Sequence, residues 1–183
     1  MTGEAERLPF RSRVLKSVFA ARPWLFITAS SLYSNPGLAM EDLKELTGLV
    51  MDALKRSIWW LKKYSVIEEK GGRYFLKTEY MKAMEELHRD HCNLGGVHVL
   101  LLDRVYVVLT VRKGRVHYWS LPAEYYEKLL YYEVLTDHPY SVEEIASILR
   151  VDESTAKKVE RLRELLKHCK TTLSSAGRGH APP

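Results

Sequence analysis

"MEDLKELTGLVMDALKRSIWWLKKYSVIEEKGGRYFL", residues 40–76, changes from helical to strand periodicity partway along and sets two tryptophans among lysines. Its opening, "MEDLKELTG", predicts a short helix with Leu43 and Leu46 turned inward. Gly48 stands at its end, where the left-handed residue that closes a helix is easiest to accommodate. A longer helix is expected after this tight turn, from about Val50 to Tyr64. Leu54, Ser57, Ile58 and Leu61 share one side of it, the side to be buried. Asp52, Arg56, Trp59 and Lys63 then project the opposite way, with Lys55 and Lys62 on one flank and Trp60 on the other. The adjacent tryptophans therefore have different tasks: Trp60 folds over the edge of a core, and Trp59 faces solvent or a partner. Beyond them Val66 and Ile67, a Gly71-Gly72 turn and Tyr74, Phe75 and Leu76 spell a two-stranded hairpin.

Upstream, "RSRVLKSVFAARP" from Arg11 has helical spacing at Val14, Leu15, Val18 and Phe19 and ends at Pro23. "PWLFITASSLYSNPG" resumes with proline at a favoured first helical position and stops at a Ser-Asn-Pro-Gly turn. Within residues 23–78 three helices thus precede the hairpin. This order, with a tight turn between the second and third helices, resembles the winged helix-turn-helix superfamily of archaeal and bacterial transcriptional regulators. The resemblance covers about residues 24–78, and it implies a fold and a common use, DNA binding, rather than a specific site.

Downstream, "TEYMKAMEELHRDHCN" continues as a charged helix with Met81, Met84 and Leu87 in one stripe, suited to packing on its own unit or on a second copy. "GGVHVLLLDRVYVVLTVRKGRVHYWSLP" turns to β structure, read as a small meander with a turn at Lys113-Gly114. A tyrosine-rich helix follows. Then Ser141 with Glu144 forms a capping box before "VEEIASIL", "RVD" makes a turn, and Asp152 caps a longer helix with Ala156, Val159, Leu162 and Leu166 inward. This second pair resembles a helix-turn-helix without a hairpin after it. The expected organisation is an N-terminal arm and helix (1–22), a winged unit (23–78), a linker or dimerisation helix (79–93), a hairpin-plus-helix-turn-helix unit (94–170) and a disordered tail (171–183). The fold class expected is mainly α with small β-hairpins, an α+β tandem helix-turn-helix protein.

With 46% hydrophobic residues the chain can build a core, yet no window has the 18 or more apolar residues of a membrane span and no signal peptide is evident. A soluble, cytoplasmic protein with no membrane partner is expected, with Cys92 and Cys169 as reduced thiols. The formal charge of +5 favours polyanions such as nucleic acids or acidic partners. Phosphate-binding loops, nucleophile elbows and His-Glu-x-x-His pairs are missing, so no enzymatic activity and no cofactor is assigned. The one metal-like cluster is "HRDHC", with His88 and Cys92 four apart on a helix and His91 beside them, echoed by His168-Cys169. Its spacing matches no strong zinc motif, and polar surface histidines are the plainer reading.

The basic face of the first unit is the stronger candidate. Residues 49–79 carry seven cations against four carboxylates. A recognition helix in the major groove would present Asp52, Lys55, Arg56 and Trp59, with Lys62 and Lys63 further along and Lys70 and Arg73 at the wing touching phosphates. Residues 141–170 are nearly neutral, seven cations against six carboxylates. Ser154, Lys157 and Arg161, with Glu164, would form the outward face there, touching phosphates or a protein. Tyr118, Trp119, Tyr125, Tyr126, Tyr131 and Tyr132 make either an effector pocket or the core and rim of a small domain. The function expected is double-stranded DNA binding by a homodimeric transcriptional regulator or transcription-associated factor. The alternative is a tandem winged-helix adapter that binds proteins through Trp59 or the second unit, in transcription, replication or membrane remodelling.

Overall fold

The computed structural model describes residues 7–176, with side chains from Phe10 to Cys169. The elements run α1 (Arg7–Ala21), α2 (Leu25–Ser34), α3 (Met40–Thr47), α4 (Met51–Lys63), β1 (Ile67–Lys70), β2 (Arg73–Leu76) and α5 (Thr78–Arg89). They continue with β3 (Cys92–Leu94), β4 (Val97–Leu102), β5 (Val105–Arg112), β6 (Arg115–Pro122), α6 (Ala123–Thr136), α7 (Val142–Leu149) and α8 (Glu153–Ala176). The class is α+β, with two antiparallel sheets, β1-β2 and the meander β3-β4-β5-β6.

Local signals place the first helices and hairpin. Gly48 closes α3 in the left-handed conformation, its N–H donating to Lys44 O. Three residues later α4 begins, with Leu54, Ser57, Ile58 and Leu61 buried as their spacing requires. The β1-β2 register, Ile67 opposite Leu76 and Lys70 opposite Arg73, follows from the two-residue turn, and Leu38 adds a bridge to Tyr74. Further along, Ser141 and Glu144 close their capping box in both directions, and Asp152 accepts from Thr155 N at 2.9 Å.

The larger sheet is more than a small meander. Its central strands β4 and β5 alternate apolar residues toward two cores, so both read as nearly unbroken hydrophobic runs. Leu100, Leu102, Val107 and Leu109 join the core built from α1 to α5. Val99, Val108 and Leu121 point the other way and pack with Tyr126, Leu129, Ile145, Ala156, Val159 and Leu162 of α6, α7 and α8. A sheet covered on both faces thus joins the two helical groups. The strands preceding α6–α8, rather than a hairpin following them, provide this group with its sheet.

Several expectations are corrected. Leu46 is 53% exposed, because the inward face of α3 runs through Leu43 and Thr47. Met84 and Leu87 of the α5 stripe are buried in the first core, where α5 packs along α1, whereas Met81 is 37% exposed. The stripe is thereby largely used within the chain. α8 runs on to Ala176, so residues 171–176 of the expected tail are helical, since extending a helix avoids the cost of nucleating one. Residues 177–183 of that tail lie outside the described residues.

The cysteines are also corrected: Cys92 and Cys169 form a disulfide between residues 77 apart in sequence. α5 ends at Arg89, so Cys92 lies on β3 rather than on a helix face, and the far end of α8 packs against that strand. Arg163, counted above among the second unit's basic residues, is buried at 7% exposure. Its Nη1 donates to Glu133 Oε1 at 2.6 Å and to Tyr140 O at 3.1 Å, tying α8 to α6 and to the segment before α7.

The disulfide closes a long loop, so replacing both cysteines by serine is expected to lower the free energy of unfolding by about 2–4 kcal/mol, measured in urea. Under non-reducing conditions the native chain should present no titratable thiol. Two thiols labelled on the purified native protein would contradict this bridge.

Candidate nucleic-acid interface

α4 carries the residues proposed from sequence on its outer side: Asp52, Lys55, Arg56, Trp59, Lys62 and Lys63 are all exposed. Their surroundings separate them. Among the described residues, no carboxylate pairs with Lys55 or Arg56. Lys62 donates to Glu69 Oε2 of β1 at 2.8 Å, and this bond holds its ammonium pKa above the ordinary value. Lys63 lies 4.9 Å from the ring centres of both Trp59 and Trp60, a distance suited to cation–π attraction. Lys55 and Arg56, in the first half of the helix, are thus the cations with neither a carboxylate nor an aromatic partner among the described residues.

The two tryptophans divide as their positions predict. Trp60 is half-buried against the first core and stacked on Tyr64 at 5.5 Å, with the Arg22 guanidinium 3.7 Å over its ring and donating to Tyr64 OH at 2.5 Å. That stack fixes α4 against the segment after α1. Trp59 remains 55% exposed, edge-on to Trp60.

The β1-β2 hairpin carries its expected cations in a partly neutralised state. Lys70 Nζ donates to Glu68 Oε1 at 2.6 Å, and Arg73 Nη1 donates to Gly37 O at 2.8 Å. Both side chains are exposed, but each already has a partner.

On α8, Ser154, Lys157 and Arg161 share an exposed shallow surface with Trp119 and Lys158. Lys157 pairs with Glu153 at 2.5 Å, which leaves Arg161 as the cation of that trio with no ion pair among the described residues. The tyrosines do not form one pocket. Tyr126 is buried edge-on to Tyr106, while Tyr131 and Tyr132 are exposed and edge-on to each other at 5.9 Å, and Tyr118 is exposed on β6.

Of the histidines proposed as metal candidates, His168 lies on α8, whereas His88 and His91 lie in the joint between α2, α5 and the larger sheet, where they meet His98 of β4. His88, His91 and His98 surround the Phe26 ring at 5.9, 5.0 and 6.4 Å between centres. His91 Nε2 and His98 Nδ1 share a hydrogen bond at 2.9 Å, and His88 Nε2 is 3.1 Å from Ser30 Oγ. Among the described residues no group of three His, Cys, Asp or Glu side chains has an arrangement that holds a metal ion. Cys92 is spent in the disulfide. Burial lowers the pKa of all three imidazoles, His91 to about 3 with help from the charges of His98 and His88.

Sequence reasoning missed one element of this surface. The β5-β6 turn, "RKGR" at 112–115, sits at the start of α4, where Val50 N donates to Gly114 O at 2.8 Å. Arg112, Lys113 and Arg115 are exposed there. The density of cations in that turn was the available signal, but its contact with a helix more than 60 residues earlier has no local signature.

Compared with known proteins, the chain matches no family, no curated protein and no solved structure. Among the described residues no helix is long and apolar enough to cross a membrane.

The histidine joint has a consequence for acid stability. Between the ordinary imidazole pKa of 6.5 and about 3, the unfolded chain binds a proton at position 91 that the folded chain refuses. Unfolding then takes up protons, so stability is full above pH 6.5 and falls as the pH drops toward 3. The midpoint of thermal unfolding should decline through this window, and His91→Gln should flatten the decline. An unchanged slope in that variant would contradict the assignment.

Proposed function

We propose that the chain is a double-stranded DNA-binding protein, a transcriptional regulator or transcription-associated factor of tandem helix-turn-helix build. In this reading α2, α3 and α4 with the β1-β2 hairpin form a winged unit, α4 is the recognition helix, and α7-α8 is the second helix-turn-helix pair. The observation that carries it is the pair Lys55 and Arg56, exposed on the outer side of α4 and in no ion pair among the described residues. A cationic helix face held rigid from behind by Leu54, Ile58 and Leu61 suits the major groove, where such side chains reach guanine edges or phosphates. Lys62, Lys63, Lys70 and Arg73 extend the positive surface toward the hairpin, and Asp52 and Trp59 border it. A homodimer would supply a second recognition helix and roughly double the phosphate contacts. The cytoplasm is the matching compartment; a structural disulfide there is characteristic of hyperthermophiles.

A protein-adapter role has its own support in exposed apolar side chains. Trp59 stands out from α4, and Tyr131, Val134 and Leu135 are 62%, 80% and 62% exposed along the end of α6. Aromatic anchors of this kind dominate protein interfaces. Salt separates the two readings, because phosphate contacts weaken steeply with ionic strength and apolar contacts do not.

Fluorescence anisotropy with a labelled random-sequence duplex, from low to physiological salt, is expected to show binding that falls steeply as salt rises. Lys55→Ala/Arg56→Ala should lose about thirtyfold or more in affinity, in line with about 2 kcal/mol or more for removing two charged contacts, and should keep its fold. No binding by the unaltered chain at low salt would end the DNA reading. Trp59→Ala as a pull-down control would then test the adapter role.

A further inference from the structure

We propose that the β5-β6 turn is a second arm of the DNA interface, with Arg112, Lys113 and Arg115 holding the phosphate backbone beside the start of α4. This inference rests on the reading of α4 as the DNA-binding helix. It adds a contact element from the part of the chain that follows the winged unit.

The turn is fastened to α4 rather than lying near it by chance. Val50 caps the start of α4, and its N–H donates to Gly114 O at 2.8 Å. Gly114 has φ +73°, and a Cβ there would overlap Val50 Cγ1 and come within 2.9 Å of Val50 N. Only glycine allows this approach. Behind the tip, β5 and β6 pair through eight consecutive positions, from Val105 opposite Pro122 to Arg112 opposite Arg115. Leu109 and Val107 of β5 are sunk in the first core. The tip is therefore held by the same core that supports α4, so its cations are presented with little additional ordering cost.

Its charges are available. Arg112, Lys113 and Arg115 are exposed, and among the described residues no carboxylate pairs with them. The cations of β1-β2 differ, since Lys70 is paired with Glu68 and Arg73 is bonded to a backbone carbonyl. Where the hairpin expected to act as a wing has spent much of its charge, the turn at the other end of α4 has kept its own.

The placement completes a cradle. Arg56 and Arg115 share a cleft of about 320 Å³ with Trp24, Asp52 and Val116. Toward the other end of the helix Lys62 contacts β1 through Glu69. The outer side of α4 thus runs from the β5-β6 turn at its start to the β1-β2 hairpin at its end. Glu41, Asp42 and Glu45 of α3, with Lys44 paired to Glu41, border Gly114 and leave a net negative charge there. A polyanion is repelled from there and directed across the α4 side. Contacts of this kind position a duplex without reading its sequence.

The test uses the full chain in salt-titrated anisotropy with a labelled random-sequence duplex, comparing Arg112→Ala/Lys113→Ala/Arg115→Ala with the unaltered protein and with Lys55→Ala/Arg56→Ala. All three side chains are exposed, so the triple variant is expected to fold, which circular dichroism and the thermal midpoint check. The proposal predicts a loss of affinity that is equal across duplex sequences and a salt slope shallower by about 2–3, near 0.9 per phosphate contact removed. Arg115→Glu alone should weaken binding further than Arg115→Ala. If the unaltered chain binds, Lys55→Ala/Arg56→Ala abolishes binding, and the triple variant keeps the original affinity and slope, the second arm is wrong and the α4 reading survives. If the unaltered chain binds no duplex at low salt, both fall together.

Discussion

The rest of the molecule depends on a sheet that is buried on both faces. β4 and β5 alternate their side chains between two cores, so Leu100 and Val107 support α1 to α5 while the neighbouring Val99 and Val108 support α6 to α8. A one-residue slip would exchange these sets, and the register is accordingly strongly specified. Neither helical group can separate without exposing a full face of apolar strand residues, each worth about 1.5–3 kcal/mol of burial. The disulfide and the buried Arg163 pair act on the same side of the sheet, one fastening α8 to β3 and the other fastening it to α6. The sheet also fixes where the β5-β6 turn emerges, which is at the start of α4.

Electrostatic context, more than the number of basic residues, distinguishes the surfaces. The chain carries 28 Lys and Arg residues, but many near the candidate site already have partners. Lys62, Lys70 and Lys157 are held by neighbouring carboxylates, Arg73 by a carbonyl and Arg22 by an indole and a phenol. What remains near α4 with no carboxylate partner among the described residues is Lys55, Arg56 and Lys63 on the helix, the last over the two indoles, and the three cations of the β5-β6 turn. A ligand with many negative charges would gain most there, because no existing ion pair has to be broken.

The parts legible in the sequence are those set by local chemistry. Gly48 ends α3, the Gly71-Gly72 turn sets the first hairpin, and Ser141 with Glu144 starts α7; each acts within a few residues and each was readable. The separation of Trp59 from Trp60 was readable as well, since it needs only the helical period. What was not legible depends on which distant surfaces meet. Leu46 has the spacing of a core residue, but α3 is short and its inward face is narrow. Cys92 looked helical until α5 ended at Arg89, and only the path of α8 brings Cys169 to it. Arg163 is indistinguishable in sequence from the exposed arginine two positions before it, and its burial follows from Glu133 lying across the helix pair. The histidines became a half-buried group because the sheet packs over α2 and α5.

The most direct test of this account is hydrogen–deuterium exchange of the whole chain with and without duplex DNA at low salt. The account predicts that slowed exchange appears together in α4 and in the β5-β6 turn, while the exposed end of α6 is unchanged. Protection confined to α6 or α8, or none anywhere with the duplex in excess, would contradict it.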